Sequence, residues 1–266
     1  MKEYVLFVGL DEPESDAIRA RLDLPSLASV TLPAIAVKDG VLLAEANAGR
    51  YVPVSALVYH AIYEDDLDFM VGLALWGGPC LPNARAMMDC RLKLPCLVRA
   101  LDVSRFAAPR RGFASRKARY MADDERVAKW GNWHCGENKE RFEGMWYADE
   151  ASVIEPFLRG QAVRVVCIGD GAWQIRLEGD SWLKSIHHAD ADFMPLVAEL
   201  LEDTRAIRRT FGLEIIANDY IVGEDGQKHL LEVNHIPNVT RFPALWAAYA
   251  DYVVDWVQKV VVKAAM

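Results

Sequence analysis

Between Phe211 and Pro237 the chain reads FGLEIIANDYIVGEDGQKHLLEVNHIP, and three oxygen-bearing side chains stand out from an apolar background: Asp219, Glu232 and Asn234. Side chains alternate along a strand, so Glu232 and Asn234 project to one face, and Asp219 on a preceding strand can stand across from them. Two carboxylates and an amide oxygen make a hard, incomplete cage of the kind Mg²⁺ prefers, with room for water and phosphate oxygens. A single acid near a strand end is usually a solvated edge. In LLEVN, however, Glu232 and Asn234 interrupt a run that otherwise looks buried, and a buried carboxylate is costly unless something pairs with it. A cation is the simplest partner.

A second set of charges lies upstream. Arg105, Arg110, Arg111, Arg116, Lys117, Arg119, Arg126 and Lys129 cluster in a chain whose net charge is −8. Such a cluster suits a polyphosphate, whose oxygens accept charge-assisted hydrogen bonds, or it simply faces water. Just beyond it, Gly131 and Gly136 could let backbone amides approach phosphate oxygens. His134-Cys135 lacks the second ligand pair that zinc needs. Trp76-Gly77-Gly78-Pro79 lacks the spaced glycines and the Lys-Ser/Thr ending of a phosphate loop and reads as a turn.

The elements that must position these groups follow from periodicity and turn chemistry. Leu213–Val222 and His229–Asn234 read as strands joined at Glu224-Asp225-Gly226. Tyr4–Leu10 and Val54–His60 read as strands, Asp16–Leu24 and Asp65–Leu75 as helices, and Ala34–Glu45 as a hairpin about Lys38-Asp39-Gly40. Asn83–Leu101 reads as a helix kinked or broken near Pro95. Phe193–Phe211 reads as a helix, and Phe242–Val262, with Trp246, Tyr249, Val253, Trp256 and Val260 three and four apart, as an amphipathic core helix. Alternating strands and helices predict an α/β fold.

Composition sets outer limits. The chain has 266 residues with 52% hydrophobic content, enough for a large core in one or two domains. Its negative charge gives no support for non-specific nucleic-acid binding, and no run approaches the ~18 apolar residues of a membrane span. Five cysteines scattered without CxxC spacing read as free thiols in a reducing, cytoplasmic setting.

Asn218-Asp219-Tyr220-Ile221, followed by Glu232-Val233-Asn234-His235-Ile236-Pro237, resembles the C-terminal signature of the ATP-grasp superfamily. Ile154–Gly169 resembles the hinge and following strand of that family, and Arg126–Lys139 its phosphate-covering strand and loop. The likeness is greatest to the carboxylate–amine ligases that add glutamate to ribosomal protein tails. It implies an ATP-grasp fold: an N-terminal α/β pre-ATP-grasp lobe over residues 1–85, a small lid subdomain over 86–155, and a C-terminal α+β subdomain with the metal site over 156–266, the last two sandwiching the nucleotide. It implies ATP and Mg²⁺ or Mn²⁺ as cofactors, with one or two ions held by Asp219, Glu232 and Asn234. Lys129, Gly136 and Lys139 would meet the phosphates, and Glu155, Pro156, Phe157 and Leu158 the purine and sugar. Arg164, Arg176 and Lys184 would serve the reacting centre.

The departures are specific. A phosphate-binding lysine expected after Asp89 is Cys90, so Arg91 or Lys93 would have to substitute unless both are surface charges. Trp130 replaces a proline, and Ala162 an aspartate. The resemblance implies a ligase acting through an acyl phosphate on a carboxylate and an amine (amino acid, peptide or small metabolite), with a homo-oligomer compatible. A kinase of the same fold, a non-catalytic nucleotide-binding module and an α/β domain with structural acids stand as alternatives.

Overall fold

The protein is described by a computed structural model over residues 3–47, 49–131 and 137–265. Gly136, expected in the phosphate loop, lies outside the described residues, as do His134 and Cys135. Three β-sheets follow one another along the chain, with strands in six, four and five.

The first sheet comprises β1 (Tyr4–Val8), β2 (Ser26–Ser29), β3 (Ile35–Lys38), β4 (Val41–Asn47), β5 (Arg50–Tyr59) and β6 (Cys80–Leu81), with helices α1 (Glu12–Arg19) and α2 (Asp66–Trp76). β1 lies parallel to β2 and β5, which explains its nearly continuous burial. The β3–β4 hairpin turns at Asp39 and Gly40, with φ of 51° and 78°, the two left-handed positions of a tight hairpin turn. The segment from Trp76 to Gly78 is a helix end: Gly77 caps α2 in the left-handed conformation and donates to the Leu73 carbonyl.

Two short helices follow, α3 (Ala84–Arg91) and α4 (Lys93–Leu101). Asn83 caps α3 through its side-chain oxygen, accepting from the amides of Arg85 and Ala86 at 3.1 and 3.2 Å. The helix expected over 83–101 breaks at Leu92, whose φ and ψ of −91° and 116° are extended. Pro95 then falls in the first turn of α4, where its missing N–H has no intrahelical acceptor to lose. The break turns α4 onto the final strand of the third sheet.

The second sheet has β7 (Gly112–Ala114), β8 (Arg119–Trp130), β9 (Lys139–Tyr147) and β10 (Ser152–Pro156), in the order β7-β10-β8-β9 and antiparallel throughout. The third has β11 (Gln161–Ile168), β12 (Gly171–Arg176), β13 (Asp192–Met194), β14 (Ile215–Val222) and β15 (Lys228–Asn234), with helix α5 (Ala198–Phe211) before β14 and α6 (Pro243–Ala265) closing the chain. Its order is β13-β12-β11-β14-β15. The helix expected from Phe193 begins at Ala198, because Asp192–Met194 is taken up as an edge strand on β12.

Alternation gives the third sheet two apolar faces. Val163, Val165 and Cys167 meet Leu200, Ile207 and Phe211 of α5, together with Ala86, Cys90 and Cys96 of α3 and α4. Ala162, Val166 and Ile168 face the other way, toward Tyr249, Val253 and Val257 of α6 and toward Phe7 and Val58 of the first sheet. One helix thus joins two sheets, and a cleft opens where the second sheet meets the third.

Candidate active site

The two strands at the C-terminal end fix the acidic set. Asp219 on β14 pairs with Glu232 on β15, and Ala217 with Asn234; Tyr220 then pairs with Leu230, leaving Leu231 as an extra residue. This bulge increases the local twist and turns Leu231 into the cleft beside the acids.

Each acidic group already has a cation. Arg164 stands opposite Asp219 in register and grips both carboxylate oxygens, Nε to Oδ1 at 2.6 Å and an Nη to Oδ2 at 2.8 Å. The Lys93 ammonium donates to Glu232 Oε1 at 2.7 Å, to the Val233 carbonyl at 3.0 Å and to Asn234 Oδ1 at 2.8 Å. Lys139 reaches the other oxygen of Glu232 at 3.2 Å. Burial alone would raise the Glu232 carboxyl, but Lys93 and then Lys139 outweigh it and hold it well below the usual carboxylate range.

This arrangement tests the expected metal. Among the described residues, no three His, Cys, Asp or Glu side chains converge on a metal-sized site. A divalent ion between Glu232 and Asn234 would lie beside the Lys93 ammonium, and at 4 Å the repulsion would be about 8 kcal/mol for an effective dielectric near 20. The Glu232–Asn234 edge does not fit a metal ion. It holds the chain's own cation instead.

The lid side is built on the second sheet. Lys129 pairs in register with Lys139 and with Val153, so Lys129, Lys139 and Glu155 share one face. Glu155 is buried between Lys129 at 2.6 Å and Arg111 at 2.8 Å. Burial works against its charge, yet Lys129 and Arg111 together keep its carboxyl below the ordinary range. Burial likewise lowers the Lys129 amine, with Glu155 opposing the shift. Lys129 also lies 3.4 Å from the Leu231 carbonyl, so the lid sheet and the acidic strands touch at this lysine.

Between them is a narrow slot of about 110 Å³ that opens to solvent at its mouth. Pro156, Phe157, Leu158, Ala162, Ile221 and Leu231 supply apolar walls, and Lys129, Lys139, Lys184, Asp219 and Glu232 line its polar end. The Arg141 guanidinium lies 3.9 Å from the Phe157 ring centre, and Trp182 meets the same ring edge-on at 6.2 Å. The connection from β10 to β11 passes Gly160, with φ of 149°, so close to β14 that a Cβ would stand 2.3 Å from the Val222 carbonyl oxygen.

A second, more polar cavity is contiguous with the slot, sharing Lys139, Lys184, Asp219 and Glu232. Arg164 and Asn234 line it from the third sheet, and Asp11, Glu14 and His60 from the N-terminal lobe. Gly9 brings the end of β1 to its wall: φ is 88°, and a Cβ there would lie 2.2 Å from that of Ala61. His60 packs against the Tyr249 ring at 4.8 Å, and burial lowers its imidazole to about 4.

Two expected site residues lie elsewhere. Arg91 is buried in the N-terminal lobe, paired with Asp66 and donating to the Tyr63 carbonyl; Asp66 also accepts from the Tyr59 hydroxyl at 2.9 Å. It is neither a surface charge nor a cleft residue. Arg176 pairs in register with Val163, whereas Arg164 pairs with Ile175, so the two arginines point to opposite faces of the sheet. Arg176 instead meets Glu178 at 3.1 Å, half exposed. Lys184 does reach both cavities, its ammonium donating to the Gly179 carbonyl at 2.9 Å. The basic cluster is dispersed: Arg110, Arg116, Lys117 and Arg119 face solvent, while Arg111 and Lys129 are drawn inward to Glu155.

Lys93 and Arg111, buried behind the cavity-lining Glu232 and Glu155, are the residues that sequence reasoning under-rated. Lys93 has Leu92 and Leu94 on either side and stands two residues before a proline, so its charge falls in an apolar stretch at a helix break, where burial requires partners.

No protein-family model and no curated protein matches the chain in sequence. Solved structures do match its fold over nearly the whole length. D-alanyl-alanine synthetase A from Vibrio cholerae aligns with a TM-score of 0.66 and 12% identity, covering 98% of this chain and 99% of its own. The ATP-grasp ligase PsnB, solved with a minimal precursor, Mg and ADP, gives 0.64 at 14% identity, covering 95% and 96%. The macrocyclase MdnC from Microcystis aeruginosa, bound with its precursor peptide MdnA, gives 0.61 at 14% identity, covering 94% and 99%. The chain has the ATP-grasp fold.

Proposed function

We propose that the protein is an ATP-dependent carboxylate–amine ligase. The observation that carries this reading is the meeting of two cavities at one charged cluster: an apolar slot suited to a purine, and a polar cavity suited to a second substrate, with Lys139, Lys184, Asp219 and Glu232 common to both. The γ-phosphoryl group of ATP would pass to a substrate carboxylate oxygen, releasing ADP. The amine nitrogen would then attack the acyl carbon, expel phosphate and lose its proton.

In this scheme Pro156, Phe157 and Leu158 form the purine wall, and Lys129 and Lys139 meet the phosphates. Arg164 and Lys184 neutralise charge on the transferring group and the tetrahedral oxyanion, where fixed donors in a dry site are most effective. Glu155 holds Lys129 and Arg111 in place. Mg²⁺ or Mn²⁺ would arrive with the nucleotide beside Asp219, bound chiefly by phosphate oxygens, and supply further neutralisation of them. The substrates are an amino acid, a peptide or a small metabolite. Among the described residues no helix is long and apolar enough to cross a membrane, and Cys80, Cys90, Cys96 and Cys167 are free and buried, which is compatible with a reducing cytoplasmic setting.

The test is ADP release across a matrix of carboxylates and amines, with Asp219→Asn beside the wild type. Release that needs both substrates and falls at least 100-fold in the variant supports the ligase. ADP release with a stable phosphorylated product would replace it with a kinase. The full pairing of the acids by chain cations favours a second reading, a nucleotide-binding module without turnover; tight ATP binding with no ADP formed from any pair would decide for it.

A further inference from the structure

We infer that Lys93 is a built-in cation standing where a divalent ion would otherwise bridge Glu232 and Asn234, so that the site handles its nucleotide with no more than one metal ion. The inference rests on the nucleotide reading proposed above and deepens it.

Three observations on the chain's own residues converge. An ammonium has three donors, and all three of those on Lys93 have acceptors, at 2.7, 3.0 and 2.8 Å. Its side chain is 1% exposed, so water does not compete for them. The position is also set by the backbone: the break at Leu92 makes Lys93 the first residue of α4, and α4 packs on β15, which carries both Glu232 and Asn234. Third, the charges around the cleft do not call for another cation on this edge. Asp219, Glu232 and Glu155 are faced by Lys93, Lys129, Lys139, Arg111 and Arg164. With Lys184, Asp11 and Glu14 of the cavity walls counted as well, six positive charges stand against five negative ones, a small excess of the sign that a polyphosphate neutralises.

The Lys93 ammonium therefore does two things a metal would do there. It fixes the carboxylate and amide oxygens in one orientation, and it keeps Glu232 ionised at the cleft floor. What it gives up is one coordination centre for phosphate oxygens, since its donors are all spent within the protein. Lys139 and Lys129 then carry the share of the phosphate charge that the missing ion would have taken.

Counting bound Mn²⁺ by electron paramagnetic resonance tests this without any turnover. The full chain is saturated with a non-hydrolysable ATP analogue, and Mn²⁺ is titrated to excess. The expected wild-type result is one Mn²⁺ per bound nucleotide, and Lys93→Met should gain a second. Lys93→Gln, which keeps a hydrogen-bonding head without the charge, is the companion variant, with circular dichroism to establish that each is folded. Two Mn²⁺ per nucleotide in the wild type overturns the inference without recourse to any variant and leaves the nucleotide site standing. A folded Lys93→Met that still binds one Mn²⁺ overturns it too. Failure of the wild type to bind the analogue at all overturns both this inference and the function on which it rests.

Discussion

Arg91 and Lys93 stand two residues apart, and burial gives them different work. Arg91 completes a closed pair with Asp66, which also holds the Tyr59 hydroxyl and the Tyr63 amide. Breaking a buried pair strands the other charge and typically costs about 3–5 kcal/mol. Arg91→Met should therefore lower the stability measured by urea unfolding by that amount while leaving the affinity for an ATP analogue unchanged; weaker nucleotide binding in the folded variant would return Arg91 to the site. Lys129 has the opposite profile. Its partner Glu155 keeps Arg111 when the lysine is lost, so Lys129→Met should weaken nucleotide binding by about 1–3 kcal/mol, the scale of a charged hydrogen bond. Calorimetric titration measures it, and an unchanged affinity would remove Lys129 from the phosphates. At this scale the acidic set was legible in the sequence, because strand alternation alone puts Glu232 and Asn234 on one face. Its partners were not: nothing local says that a lysine 139 residues earlier will reach them, and Arg176 was misplaced because one step of strand register reverses the face.

Elements were legible where local chemistry decides them and blurred where packing does. The Asp39-Gly40 hairpin and the Gly226 turn follow from residues that tolerate positive φ. The start of α5 was misjudged because Asp192–Met194 has a strand edge to join, which only the assembled sheet provides. The break at Leu92 was foreseen near Pro95, but its consequence, the turning of α4 onto β15, is tertiary. Gly160 is the clearest case of an element junction that admits one residue type. Its φ is in the region that L side chains rarely adopt, and a Cβ would run into the Val222 backbone. Gly160→Ala should cost at least about 1–2 kcal/mol, read as a lowered unfolding midpoint. Because the segment joins the second sheet to the third, nucleotide affinity should fall with it; an alanine variant as stable as the wild type would show that the junction is free to move aside.

Of the groups with a depressed pKa that the whole molecule brings to the cleft, three titrate on the acid side: His60 from the end of β5, Glu155 from β10 and Glu232 from β15. For all three the unfolded chain binds protons more readily than the folded one, so stability rises with pH through each transition. The imidazole contribution is fully present above its ordinary value of 6.5 and is lost as pH falls toward about 4. The two carboxylates contribute above their ordinary value of 4.5, and their share is lost as pH drops further below it. Acid unfolding should accordingly begin in two stages, a shallow decline governed by His60 and then a steeper one as the ion pairs of Glu155 and Glu232 with the lysines and Arg111 are broken by protonation. Urea unfolding at a series of pH values checks this, with His60→Phe expected to flatten the first stage and leave the second. A wild-type stability that does not change between neutrality and the ordinary carboxylate range would mean that His60 is not held neutral by the fold, and the burial argued for the N-terminal wall of the second cavity would have to be given up.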